Sequence, residues 1–121
     1  MILADTSVWV AHLRGRNQTL VQLLDRGAVL THPFVIGELA LGRLEPRDVL
    51  LDDLQRLPRA VVASHQEILD FVERHQLFER GIGHVDVHLL AAARLSADTT
   101  LWTHDKRLRD AAKQLALAAN L

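Results

Sequence analysis

The run Met1-Ile2-Leu3-Ala4-Asp5-Thr6-Ser7-Val8-Trp9 decides how the chain is read. Its first four residues are apolar and strand-sized, and Asp5 closes them. A helical pattern follows from about Ser7 to Leu13 and is broken by Arg14-Gly15-Arg16. A strand that feeds directly into a helix is the first half of a strand-helix-strand unit. In open parallel sheets ligands gather just beyond the carboxyl ends of such strands, which is where Asp5 stands.

The rest of the chain continues the alternation. Asn17 can cap a second helix carrying Leu20, Leu23 and Leu24, with Gly27 at its stop, and residues 28–31 make a second strand. Pro33 suits the first turn of a helix reaching about Gly42. Pro46 opens another, ended near Leu57-Pro58, and residues 59–63 form a short third strand. Ser64 and Glu67 match a capping box for the next helix. The loop Gly81-Ile82-Gly83-His84 leads to a helix opened by Asp86. Residues 99–103 are strand four, Asp105 starts the last helix, and residues 116–121 fit either a fifth strand or more helix. The expected fold class is α/β, a three-layer α/β/α sandwich whose central, mainly parallel sheet has four or five strands.

A chain of 121 residues with 49% hydrophobic content can bury one core, so a single domain over residues 1–121 is expected. The absence of cysteine excludes disulfides and thiolate chemistry and fits a reducing cytoplasm. No uncharged stretch approaches the ~20 residues of a membrane span. A net charge of -1 does not mark a nucleic-acid binder. Most of the bases, however, are Arg, whose planar fork suits phosphate, and Arg14, Arg43, Lys106 and Arg107 lie close in sequence to acids.

Four of those acids carry the chemical reading. Asp5 and Asp105 follow strands, whereas Glu38 and Asp86 interrupt apolar helical stripes such as Val35-Glu38-Leu39-Gly42 and Asp86-Leu89-Leu90-Ala93. Each has an ordinary explanation: Asp5 and Asp105 as helix caps, Asp86 as a first-turn acid, Glu38 as half of an ion pair. Four separate elements bringing an acid to one end of a sheet is harder to explain that way. Grouped carboxylates repel and call for cations. An oxygen-only donor set selects Mg²⁺ or Mn²⁺ over zinc, and such ions support phosphodiester hydrolysis. Thr6, Ser7 and Thr103 would then be hydroxyls supporting the acids or placing water.

Seven histidines offer rival chemistry. His84 and His88, at i and i+4, could bind zinc, but the H-E-x-x-H pattern is missing. A metal-free nuclease would need two histidines as acid and base, and none pairs up near Asp5. A phosphate-accepting signalling domain would want an acid ending strand three, where Val62-Ala63-Ser64 stands. A haloacid-dehalogenase-like phosphatase would want an acid at Ser7. A catalytically silent binding module, with the acids kept, remains as the alternative reading.

The stretches D-T-S-V-W at 5–9, I-G-E-L-A-L-G at 36–42, G-I-G-H-V-D-V-H-L-L-A-A-A at 81–93 and L-W-T-H-D-K-R-L at 101–108 resemble the motifs of PIN-domain ribonucleases. They are most similar to VapC-like toxins of type II toxin–antitoxin systems, and the resemblance spans essentially the whole chain. It implies a PIN-like sandwich forming a single PIN-like domain, and an endoribonuclease that uses Mg²⁺. It also implies a homodimer and a small antitoxin partner that blocks the acidic cleft. Carried over by position, Asp5 and Asp86 are the metal ligands, and Glu38 and Asp105 complete the catalytic site. His84 departs from the pattern, standing where a large aromatic is expected.

Overall fold

The computed structural model describes residues 1–121. Three short parallel strands, β1 (Ile2–Ala4), β2 (Val29–Leu30) and β3 (Thr100–Trp102), lie in the order β2-β1-β3. Ile2 pairs with Val29 on one side and Thr100 on the other, and Leu3 with Leu30 and Leu101. Seven helices connect and flank them: α1 (Thr6–Arg14), α2 (Gln18–Asp25), α3 (Pro33–Ala40), α4 (Arg47–Arg56), α5 (His65–His75), α6 (His84–Leu95) and α7 (Lys106–Gln114).

The third strand expected at 59–63, and the residues 116–121 that fitted either a strand or more helix, each form only a single parallel bridge, Thr31 with Arg59 and Leu101 with Ala118. On the first edge the cause is a competing acceptor. After Ala60 bonds back to Thr31, the Val61 N–H turns away to Ser96 Oγ at 2.9 Å, and Val61 and Val62 are left exposed. On the second edge the residues bracket Leu101, which donates to Leu117 O at 2.7 Å and accepts from Ala119 N at 2.9 Å, and the pairing stops there. Counting the bridges, the sheet runs 59-β2-β1-β3-118. The chain therefore leaves β1 in one direction and returns on its other side. Right-handed crossovers in opposite directions put α1 to α4 on one face and α5 to α7 on the other.

Local signals set the helix ends. The carboxylates of Asp5 and Asp105 accept from Val8 N and Leu108 N, and Asn17 from Leu20 N, so three helices begin at a side-chain cap. Ser64 and Glu67 form the capping box of α5. The sixth helix starts at His84, two residues before the expected Asp86. Gly83 stands at its N-cap and Asp86, one turn in, bonds back to it.

One core of 26 buried residues joins the sheet to both helical layers. Its centre is Leu3, Val8, Leu90 and Leu101, none more than 1% exposed. In α6 seven consecutive residues, Val87 to Ala93, are buried, and its three alanines let the helix lie close to its neighbours. An added methylene there would cost about 1–3 kcal/mol, because a close-packed interior cannot yield.

Candidate active site

The order of strands reverses between β1 and β3, and the crevice beyond their carboxyl ends is where such folds place ligands. Asp5 sits in that crevice with 6% of its surface exposed. A buried carboxylate needs donors, and this one has three. Ser7 Oγ at 2.5 Å and Val8 N at 3.2 Å donate to Oδ1, and the Thr103 hydroxyl donates to Oδ2. The same hydroxyls accept in turn: Ser7 Oγ from His104 N and Thr103 Oγ1 from Asp105 N, each at 3.0 Å. Asp5 N also donates to Trp102 O at 3.0 Å. The ends of β1 and β3 are thus laced together through one acid.

The other three acids come from other segments. Glu38, exposed on α3, accepts from the Thr6 hydroxyl at 2.6 Å. Asp86, half-buried on α6, accepts from Gly83 N at 3.0 Å, and Asp105 from Leu108 N at 3.0 Å. Glu38 and Asp86 therefore do not face the core as their stripes implied; they stand at its margin, where a carboxylate is tolerated. Burial raises the Asp86 carboxyl above its ordinary range, and the Gly83 N–H opposes this. The charges of Asp105, Asp5 and Glu38 raise it further. Asp86 thus feels all three of the other acids.

The donor set is oxygen only, which fits a hard divalent cation, and the repulsion felt by Asp86 is a field that such an ion would relieve. As the side chains stand, no three acids or histidines converge into a ligand set. Asp5 has both oxygens engaged by donors of its own chain, whereas the other three acids have each turned one, and Glu38 Oε2, Asp86 Oδ1 and Asp105 Oδ2 make no hydrogen bond within the chain.

Of the basic residues singled out in the sequence, Arg14 and Arg43 line a cavity with Glu38, although Arg43 also pairs with Glu45 at 3.0 Å. Lys106 lies 3.8 Å from Asp110 on its own helix. Arg107 rests on the loop before α6, so close that a Cβ on Gly81 would lie 2.5 Å from its Nη1. With φ at +73°, Gly81 serves both that contact and its own left-handed backbone.

Beside the acids is a group of rings of which the sequence foretold only the neighbouring pair His84 and His88. The rings of His84 and His88 are 4.6 Å apart, Phe34 lies 4.6 Å beyond His88, and His32 lies 5.2 Å beyond Phe34. The rings meet edge to face, and no zinc-type ligand set forms among them. His32 and His88 are buried, and His32 Nε2 and His88 Nδ1 lack partners. Burial first, then a neighbouring histidine, lowers both pKa values, that of His32 to about 4. A second unforeseen group is the pair Trp102 and His104 facing Arg109 and Lys113 across a cavity at the edge of β3. Half of its signal was available as spacing, since Arg109 and Lys113 at i, i+4 on a helix share a face.

A two-way α/β sheet with four acids around its switch point is the arrangement of a PIN domain, and residues 2–114 match that family. The chain belongs to the PIN-domain family. Two of its curated relatives are proteins named Ribonuclease VapC32 from Mycobacterium tuberculosis strains CDC 1551 and H37Rv. Each is 47% identical over 118 residues, covering 98% of this chain and 95% of theirs. Among solved structures, PAE2754 from Pyrobaculum aerophilum superposes with a TM-score of 0.59 at 18% identity. That match covers 91% of this chain and 78% of that one, and it speaks for the fold alone.

Proposed function

We propose that this chain is a VapC-type toxin, an endoribonuclease that hydrolyses RNA phosphodiesters with Mg²⁺ or Mn²⁺ held among Asp5, Glu38, Asp86 and Asp105. One arrangement carries the reading: Asp5 and Asp105 are joined through the Thr103 hydroxyl, Glu38 is tied to Thr6 beside Asp5, and the charges of all three bear on Asp86. When bound, the divalent ion would polarise the phosphodiester and lower the pKa of an attacking water.

The chain's own residues have definable parts. Ser7 and Thr103 fix the Asp5 carboxylate, and Thr6 orients Glu38. In this reading Arg14 and Arg43, which line a cavity with Glu38, would contact a substrate phosphate, and Lys106 and Arg107 another at the start of α7. The names of the M. tuberculosis relatives support the RNA substrate and imply a small antitoxin. An antitoxin would find an apolar groove of about 180 Å³ between the helices that follow β1 and β2, lined by Trp9, Leu13, Leu39, Leu44 and Leu54. The groove shares Leu13, Leu39 and Leu44 with the cavity at Glu38, so a segment lying in it could deliver an Arg to the acids. The reading also includes one catalytic unit over residues 1–121, a homodimer and a cytoplasmic setting. No helix is long and apolar enough to cross a membrane.

The test is cleavage of single-stranded RNA by purified protein with Mg²⁺, with Mn²⁺ and with chelator. Hydrolysis that needs the metal and leaves 5′-phosphate ends supports the proposal, because an attacking water spares the ribose 2′-hydroxyl. Full activity in chelator with 2′,3′-cyclic phosphate products would point to the histidines instead. A folded protein inert with every metal would be a silent binding module.

A further inference from the structure

We propose that the cavity at the edge of β3 is a track for the single-stranded RNA leaving the acidic crevice, with bases against Trp102 and His104 and phosphates against Arg109 and Lys113. The inference rests on the ribonuclease reading and adds where the strand runs.

The cavity holds about 250 Å³ and, besides residues 118–121 along one side, has two unlike walls. One is aromatic. Trp102 ends β3 half-buried, His104 follows it exposed, and their ring centroids are 6.1 Å apart at 75°. Both residues line the cavity, so both rings can face one occupant. The other wall is cationic. Arg109 and Lys113 are exposed, lie on one face of α7 about 6 Å apart along its axis, and take part in none of the chain's ion pairs. Unpaired cations beside an indole form a surface that a single strand matches, since its bases and phosphates project to opposite sides. Every base has a π-face, so such a wall is sequence-tolerant, and a net charge of -1 requires that cations act locally.

Continuity with the acids gives the direction. Thr103 lines the cavity between Trp102 and His104, and its hydroxyl donates to Asp5. The Trp102 carbonyl accepts from Asp5 N and the His104 N–H donates to Ser7 Oγ, so the aromatic wall is the backbone of the crevice itself. A strand whose phosphodiester lies at Asp5 and Asp105 reaches Trp102 and Arg109 with its next nucleotides.

The experiment measures binding of a labelled, mixed-sequence single-stranded RNA of about 12 nucleotides, long enough to fill such a groove. It uses the full chain carrying Asp86→Asn, across a salt series. The double variant R109Q/K113Q should lower the slope of log affinity against log salt by about 1.4, two phosphate contacts at about 0.7 each for a single strand. Trp102→Leu should weaken binding by roughly tenfold through lost stacking while keeping the slope. His104→Ala, at an exposed position, repeats that test should Trp102→Leu fail to fold. Arg56→Gln, on α4, is the control and should bind as the parent does. An unchanged slope in R109Q/K113Q overturns the track. If the same double variant instead loses self-association, the cavity is an interface between copies and the track is likewise overturned. Wild-type RNA cleavage alongside an unchanged slope would sink the track and leave the ribonuclease reading standing. A parent that neither binds nor cleaves RNA would remove both.

Discussion

Lowering the pH through the interval between 6.5 and about 4 should charge His32 in the unfolded chain while leaving it neutral in the folded one. The ring is wholly buried, its Nδ1 accepts from Phe34 N at 3.1 Å at the start of α3, and its Nε2 has no partner. Protonation would turn the accepting nitrogen into a second donor facing Phe34 N–H, with no water to stabilise the charge. Burial is the larger cause of the lowered pKa and His88 the smaller. The folded state therefore binds fewer protons than the unfolded one across this interval. The stability from neutral His32 is complete above 6.5, declines as the pH falls, and is gone below about 4. At about 1.36 kcal/mol per pH unit, a gap of roughly two and a half units amounts to ~3 kcal/mol. That is a large share of the ~5–15 kcal/mol that holds a domain folded.

His32→Asn removes the titration and keeps an acceptor for Phe34 N–H, since Asn is a good cap. Urea unfolding followed by Trp9 and Trp102 fluorescence, at several pH values for both proteins, measures the effect. The variant loses some stability at every pH through lost packing, and that constant cancels when slopes are compared. Wild type should lose ~3 kcal/mol more than His32→Asn between neutral pH and pH 4, on the same linkage. Parallel curves would refute the reasoning and mean that His32 reaches water or a partner when charged.

Asp86→Asn should abolish cleavage yet raise the thermal midpoint slightly without metal, because burial and three like charges disfavour the carboxylate. Its advantage should shrink as the pH falls and the wild-type carboxyl protonates, which a set of melting curves would show. Asp5→Asn should abolish cleavage too but lower the midpoint. An amide offers one acceptor oxygen where the carboxylate takes three donors on two, a loss of about 1 kcal/mol. Adding Mg²⁺ should raise the melting temperature of wild type and leave that of Asp86→Asn little changed; equal shifts would place the ion elsewhere. Gly81→Ala should destabilise by about 1 kcal/mol or more, since φ there is +73° and the new Cβ would meet Arg107, and chemical unfolding would measure it.

The fold was legible wherever a single residue both ends one element and starts the next. Asp5, Asn17, Ser64 with Glu67, and Asp105 each advertise a cap, and Pro33 and Pro46 mark helix starts, so those boundaries fall within a residue or two of the pattern. The outer strands were not legible, because Val61-Val62 reads as strand by propensity while the Ser96 hydroxyl, 35 residues on, captures its backbone. The four acids could be found because they sit at element ends or break apolar stripes. His32 could not: nothing local says that a histidine will be fully buried as a cap, and its neighbours Phe34 and His88 come from different helices. Trp102 was legible only in part: it packs against the core as an aromatic strand residue should, but the cations beside it arrive only with α7.

The narrowing of the sheet to one bridge at each margin bears on how copies of this chain can meet. A β-edge recruits another chain by offering a row of unpaired amides and carbonyls, and here each margin is a single bridge, with the Val61 N–H beside the first already taken by Ser96. Margins this short offer strand-to-strand recruitment little backbone to pair with, so association falls more to the helical faces, where side-chain shape rather than backbone pairing decides who binds.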